Sequence, residues 1–267
     1  MQNQSLGAKN WRPPLLVQAS LATHGGAITA VAVQADLWPW ALSAVVANHL
    51  VLSVTGLWPR STWLGANMRR LPLEAAQRGE VWITIDDGPE PAVTPQVLRI
   101  LESHNARASF FCVGQRVTKH PELAREIVAA GHTIENHSER HLHRFSLLGP
   151  KGMQDEIARA QDSIENVTGS RPRYFRAPAG LRNPFLDYVL HKQGMLLASW
   201  TRRGFDTREP DGDRVLKRLA RNLAGGDILL LHDAHAAKST GGQPVILDVL
   251  PKLLGQMADK GLKAVPA

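Results

Sequence analysis

The apolar and polar positions of this chain follow two different patterns, one before and one after about residue 80. From Leu15 to Ala35 there are 21 residues without a formal charge if His24 is neutral, and from Trp40 to Trp58 another 19. Each run is close to the ~20 residues with which a helix spans a bilayer core. Asp36, Leu37, Trp38 and Pro39 separate the runs, and Trp11, Trp38, Trp40, Trp58 and Trp63 bound them, the residue type that prefers the headgroup level. The pattern predicts a membrane-associated helical hairpin over residues 1–58. Gln18, Thr23, His24, Gly25 and Gly26 dilute the first run, so two other readings stay open. One is a buried or interfacial helix pair, and the other is a cleavable signal with small residues at Val33-Gln34-Ala35. Pro59, Gly65, Pro72 and several arginines make residues 59–79 read as a linker.

From Glu80 onward the period changes. Short β-rich runs at 81–85, 107–113, 132–136, 173–176, 195–201, 227–231 and 262–265 alternate with amphipathic runs at 94–104, 121–130, 152–167, 184–193, 211–223 and 244–259. Thr94-Pro95 and Asp213 are helix-start signals, and Gly131, Gly194 and Gly261 fall where helices should stop. This alternation predicts a parallel sheet or a (β/α) barrel over residues 80–267. The residues that follow each strand then converge on one mouth.

Chemistry gathers at those strand ends. Val81 to Ile85 is a buried-strand composition that stops at Asp86, Asp87, Gly88 and Pro89. Asp-Gly-Pro clusters are ordinary turn signals, but two adjacent ionised carboxylates repel each other, and a cation is the usual compensation. After the third run come His137 and His141, four residues apart, which share one face if the segment is a helical turn. Such a pair is a weak signal among 11 histidines. Joined to Asp87, it makes a carboxylate-plus-two-imidazole ligand set with open positions, the pattern of catalytic zinc. Arg176 precedes a proline-fixed turn, and His232 ends the buried run Asp227 to Leu231. Either can be an ordinary loop or core-edge residue, or else a base-orienting guanidinium and a proton donor.

Composition narrows the picture. The net charge of +7 is uneven: residues 1–70 carry Lys9, Arg12, Arg60, Arg69 and Arg70 against Asp36, a balance of +4, and the remainder carries +3. No basic run with interleaved aromatics follows, which argues against nucleic acid as a partner. Cys112 is the single cysteine; it excludes an intrachain disulfide and a thiolate zinc cluster, and its apolar setting reads as core.

Together these segments resemble the polysaccharide deacetylase family, the carbohydrate esterases that include chitin and peptidoglycan deacetylases. The resemblance rests on Thr84-Ile85-Asp86-Asp87-Gly88-Pro89, on His137 to His141 as His-Ser/Thr-x-x-His, on Arg176 and Pro178 as Arg-x-Pro, and on Leu230 to His232 as Leu-x-His. It implies a distorted (β/α) barrel with about seven strands and a divalent metal, usually zinc. Carried over, it implies that Asp86 is the general base, that Asp87, His137 and His141 hold the metal, and that Arg176 orients the base. Ala179 would supply an oxyanion N–H, and His232 would be the general acid, polarised by Asp206. The fourth motif departs from the family pattern. Where Asp-x-x-Asp-Trp is expected, the chain has Arg203, Asp206 and Thr207, so the apolar wall for the acyl group would have to come from Leu230 or Phe205.

The implied activity is metal-dependent removal of an N-acyl group, most simply N-acetyl, from an amino sugar in a polysaccharide or a lipid-linked glycan. The rivals are a membrane-anchored sugar-binding module whose catalysis has decayed and a metal-dependent phosphohydrolase. Residues 15–58 would contact membrane lipid, as in a bacterial inner membrane. The basic residues lie on the outer flanks of the hairpin and Asp36 in its turn, so the positive-inside rule places the catalytic part on the cytoplasmic side.

Overall fold

The computed structural model describes residues 10–266; Lys9, used above in the charge count, and Ala267 at the end of the expected catalytic part lie outside the described residues. Two helices open the described chain, α1 (Leu15–Val33) and α2 (Trp38–Leu57), joined by a 3₁₀ turn over Ala35–Leu37. Helices of 19 and 20 residues are each about 30 Å long at about 1.5 Å per residue, long and apolar enough to cross a membrane. They pack against each other through polar contacts that belong to neither helix alone. Asn48 Nδ2 donates to Ser20 Oγ at 2.8 Å, and the Nε2 atoms of His24 and His49 lie 3.2 Å apart.

The rest of the chain winds a parallel sheet. In order it contains α3 (Leu73–Gln77), β1 (Glu80–Asp86), α4 (Thr94–Ser103), β2 (Ala108–Cys112), α5 (Gly114–Lys119), α6 (Pro121–Ala129), β3 (Thr133–Asn136), α7 (Pro150–Thr168) and β4 (Tyr174–Phe175). It continues with α8 (Leu186–Lys192), β5 (Leu196–Leu197), β6 (Arg202–Arg203), α9 (Gly212–Ala220), β7 (Ile228–His232), α10 (Val245–Asp259) and β8 (Lys263–Ala264). Seven strands follow the order β5-β4-β3-β2-β1-β7-β6, and β8 pairs with the start of β1. All these pairings are parallel, as successive β–α crossovers require.

The two edge strands, β5 and β6, are four residues apart in sequence. One extended segment therefore pairs first with β4, Tyr174 opposite Leu196, and then with β7, Arg202 opposite Leu229. This curls the sheet into an incomplete barrel. The gap is filled by residues expected as a linker: Met68 N donates to Leu197 O at 2.9 Å, Ser199 N to Met68 O at 2.8 Å, and Leu71 N to Gly226 O at 2.9 Å. Leu64 and Ala75 in the same segment are buried, so 59–79 is built into the barrel wall rather than strung beside it.

Burial explains the elements. β1, β2 and β7 are buried at nearly every position, so their sequences are apolar without alternation, as a sheet covered on both faces demands. One core lies between these strands and α4, α6, α9 and α10, and a second packs Phe145, Met153, Phe175 and Leu190 under α7 and α8. Helix ends follow local chemistry. Gly131 and Gly194 stop α6 and α8 with φ of 83° and 67°, a region costly for residues with a Cβ. For α9 the cap is Asp211, whose carboxylate accepts from the N–H groups of Asp213 and Arg214; the start signal expected at Asp213 lies two residues further on.

Candidate active site

Strand β1 ends inside the barrel mouth, and its last residue and the next are treated differently. Asp86 Oδ1 accepts from Arg176 Nη1 at 2.6 Å. The same Nη1 donates to Thr84 Oγ1 at 2.7 Å, Nη2 donates to Ser199 O at 2.9 Å, and Nε to Ala198 O at 3.3 Å. The guanidinium also lies 4.0 Å from the Phe111 ring centroid. Arg176 is fully buried, and this set of acceptors is what makes a buried guanidinium tolerable and fixes one oxygen of Asp86.

Asp87 turns the other way, with φ 77°. Its Oδ1 lies 3.3 Å from His137 Nε2 and 3.2 Å from His141 Nε2, and its Oδ2 lies 3.1 Å from His235 Nδ1. Burial alone would raise this carboxyl; hydrogen bonding from His137 and His235 outweighs it and holds the group well below the usual carboxylate range. Gly88 follows because a Cβ there would come within 2.5 Å of the buried Asp233 carboxylate. That carboxylate accepts from Thr94 Oγ1 at 2.5 Å, tying the β1 loop to α4 and β7.

The histidines reach Asp87 without a helix. Residues 137–141 form a loop in which Ser138 and His141 have φ of 64° and 50°. It is held by Ser138 N donating to Asn136 Oδ1 at 2.9 Å and His141 N to Ser138 Oγ at 3.0 Å. The helical turn considered for the pair is absent, yet the ring centroids are 4.8 Å apart. His137 Nδ1 donates to Arg176 O at 2.8 Å, because a carbonyl can only accept. In the neutral ring Nε2 then carries a lone pair facing a carboxylate oxygen, and the hydrogen bond from His137 to Asp87 forms only when that ring is protonated. Two acceptors in contact call for a cation or a proton between them. Burial, together with the neighbouring His137, depresses His141 to about 4, so its imidazole is neutral at pH 7 and also offers a lone pair. One ligand atom from each of Asp87, His137 and His141 lies within 4.8 Å of the others. The three residues present fit a divalent metal, with an outer hydrogen bond on His137 of the kind that orients ligating imidazoles.

Opposite stands His232 at the end of β7. Its Nδ1 lies 2.9 Å from Asp206 Oδ1, and its backbone N donates to Asp206 Oδ2 at 2.7 Å. Burial works against the imidazolium, but Asp206, with smaller help from Asp86 and Asp87, pushes it up to about 9. The cavity enclosed by these groups has a volume of about 480 Å³, within the range of small-ligand sites. Ala179, Trp200, Thr207 and Leu230 also line it. Leu230 and Trp200 form its apolar wall; Phe205, the other residue considered for that role, is about half exposed and turned away from it. Among the described residues, four of the eight non-glycine residues with positive φ line this cavity: Asp87, His141, Ala179 and His235. Strain of this kind persists only where surrounding contacts over-determine it, and it clusters at functional sites.

The polysaccharide deacetylase family matches residues 74–198. A chitooligosaccharide deacetylase from a Bradyrhizobium species is 33% identical over 174 residues, 62% of this chain and 79% of the relative. The chain belongs to the polysaccharide deacetylase family. A peptidoglycan-N-acetylglucosamine deacetylase of Bacillus cereus is 31% identical over 185 residues, 68% of this chain and 84% of that one. Among solved structures, a family 4 carbohydrate esterase from Streptomyces lividans in complex with acetate superposes with a TM-score of 0.63 at 33% identity, covering 70% of this chain and 91% of its own. As a polysaccharide deacetylase the chain is a hydrolase, and the family's metal dependence agrees with the ligand set just described. All eight residues singled out in the sequence come together at the mouth or directly behind it. His235 and Thr84 were missed. His235 stands three residues after His232, outside any motif, and only the chain reversal after β7 brings it to Asp87.

The His232–Asp206 pair predicts a titration. In metal-free protein the imidazole resonances of His232 should report a midpoint near 9, and Asp206→Asn should lower it by more than about one pH unit as burial loses its main opponent. If His232 donates a proton, it is competent below its midpoint, so as pH rises the Asp206→Asn variant should lose activity at a lower pH than the native protein. An NMR titration that leaves the His232 midpoint unchanged in Asp206→Asn would contradict the pairing.

Proposed function

We propose that this protein is a metal-dependent N-deacylase of an amino-sugar glycan, with Asp87, His137 and His141 as metal ligands and zinc as the metal. Two neutral imidazoles favour zinc-like ions over magnesium, which prefers oxygen. The observation that carries the reading is the unequal treatment of the two adjacent aspartates, one held by Arg176 and one facing lone pairs. A metal bound there would polarise the acyl carbonyl and make water more acidic.

The chain's own groups account for the remaining proton movements. Asp86, with one oxygen fixed by Arg176 and the other 3.9 Å from His137 Nε2, accepts the proton of the attacking water. Arg176 is a positioning residue that keeps this carboxylate aimed. The N–H of Ala179, on the proline-fixed turn, donates to the oxygen that becomes negative as water adds to the carbonyl carbon. His232, held cationic by Asp206, protonates the nitrogen as the C–N bond breaks, so that an amine leaves rather than an amide anion. The retained His232–Asp206 pair supports catalysis over a decayed binding module, and the two imidazoles at Asp87 support zinc hydrolysis over phosphohydrolase chemistry.

The substrate reading extends to its location. Residues 1–58 act as a membrane anchor, 59–79 join it to the barrel, and 80–267 carry the catalysis. Arg182 N donates to Gly56 O at the end of α2 at 3.2 Å, and Arg182 lies in the same loop as Ala179. The anchor thus meets the rim of the catalytic mouth. Arg12, Arg60, Arg69 and Arg70 flank the hairpin, which supports a cytoplasmic barrel and a lipid-linked glycan rather than a finished polymer.

Full-length protein in detergent should release acetate from N-acetylglucosamine oligomers, lose that activity with chelator and regain it with zinc. Asp86→Asn should cost about 10²–10⁴ in rate while retaining zinc. No acetate from any N-acetylated sugar, with zinc bound, would favour the decayed binding module. For the topology, C-terminal reporter fusions should be active only as the cytoplasmic form; activity of the external reporter alone would place the barrel outside and restore the finished polymer as substrate.

A further inference from the structure

The wall of the catalytic cavity is strongly basic. Arg116, Arg140, Arg203 and Arg208 line it, and Asp86 and Asp87 are the only carboxylates among the described residues that do. Two of the four arginines are neutralised: Arg116 Nη1 lies 2.9 Å from Glu90 and Arg140 Nε 2.6 Å from Glu156. Among the described residues, Arg203 and Arg208 have no such partner, whereas the neighbouring Arg202 pairs with Asp227 at 2.6 Å. Arg203 is the more informative. Its Nε is buried with no hydrogen-bond partner, an arrangement that costs free energy unless something else satisfies it.

Arg203 is also held in place. It sits on β6 opposite Leu230 of the cavity wall, and its guanidinium lies 5.5 Å from the Trp200 ring centroid and 5.1 Å from that of Phe205. Contact with two aromatic faces restricts a planar cation without using its donors. It therefore presents a restrained fork with unused N–H groups in the wall of the cavity that Asp86, Asp87 and His232 also line. This is the position where the family resemblance leads one to expect an aspartate, so the sign of the charge is reversed there.

We propose that Arg203, assisted by Arg208, forms an oxyanion subsite, and that the amino sugar taken by this cavity carries a phosphoryl group. The inference rests on the deacylase reading and sharpens its substrate class. Two unpaired guanidiniums suit a group with several charged oxygens better than a single carboxylate, which one fork satisfies. The excess positive charge also draws an anionic sugar toward the mouth and repels cations. A sugar phosphate is the chemistry expected of a glycan carried on a lipid phosphate, in keeping with the anchor at the rim.

Binding tests the subsite without requiring turnover. Calorimetry on the full, zinc-loaded chain in detergent would compare N-acetylglucosamine 1-phosphate, N-acetylglucosamine and N-acetylmuramic acid. The phosphorylated sugar should bind about 10- to 100-fold more tightly than the neutral one, a preference that Arg203→Gln abolishes and Arg203→Lys partly keeps. Raising salt should weaken the preference. Equal affinity for the phosphorylated and neutral sugars would overturn the proposal, as would a preference that survives Arg203→Gln and so belongs to the metal. Binding of the muramic acid as tight as that of the phosphate would assign the subsite to a carboxylate instead and overturn the phosphoryl assignment. A loss of acetate release with these affinities intact would count against the deacylase reading alone.

Discussion

Two carboxylates at adjacent positions cannot both remain ionised at the end of a buried strand without separate compensation. Asp86 and Asp87 are 2% and 5% exposed, at the mouth end of β1, a strand buried at six of its seven positions. An unpaired charge at such a depth is strongly destabilising, so the sequence around them is constrained from several directions. Arg176 neutralises the first, and three more of its N–H groups are taken by Thr84, Ala198 and Ser199. The second faces His137, His141 and His235. Removing Arg176 would leave a buried charge at a cost of about 3–5 kcal/mol, so stability and the position of the Asp86 carboxylate depend on the same residue.

The barrel exists to deliver these groups from distant parts of the chain. β1 brings the aspartates, the loop after β3 the histidine pair, the loop after β4 Arg176 and Ala179, and β7 His232. Parallel strands place all of these at one rim. The sheet closes because one segment, 196–203, pairs at both edges, and because Met68 to Leu71 fills the gap this leaves. The stretch between hairpin and barrel is thus part of the scaffold of the mouth, which links the N-terminal hairpin to the site through Gly56, Arg182 and the Ala177–Leu181 loop.

How much of this was legible in the sequence follows from what each element depends on. The long buried strands and amphipathic helices were readable to within three residues, because burial on both faces or on one stripe leaves a direct trace in composition. The expected run 195–201 covers the two-residue strand β5 and stops just before β6, since nothing in the sequence marks where a segment changes partner. Helix α5, Gly114-Gln-Arg-Val-Thr-Lys, carries only one large apolar residue, Val117, and is held by packing against α7; it lacks a periodic signal. Residues 59–79 looked like a linker because Pro, Gly and Arg dominate them, and their hydrogen bonds to Leu197, Ser199 and Gly226 are non-local. At the site, the eight residues named from the family resemblance lie together, although the His137–His141 spacing works through a loop with two positive-φ residues rather than through a helix. His235 left no trace. Its role is set by a turn conformation, with φ 60°, that residue identity alone does not reveal.

The proposed chemistry divides the labour between the two aspartates, and the position of the metal tests that division most directly. Crystals of the zinc-loaded protein measured at the zinc absorption edge should show one anomalous peak at about 2.0–2.2 Å from a carboxylate oxygen of Asp87 and from the Nε2 atoms of His137 and His141. Asp86 should remain on Arg176 with its second oxygen free of the metal. A peak ligated by Asp86, or one lying away from the two histidines, would contradict the assignment of base and ligand from which the mechanism is built.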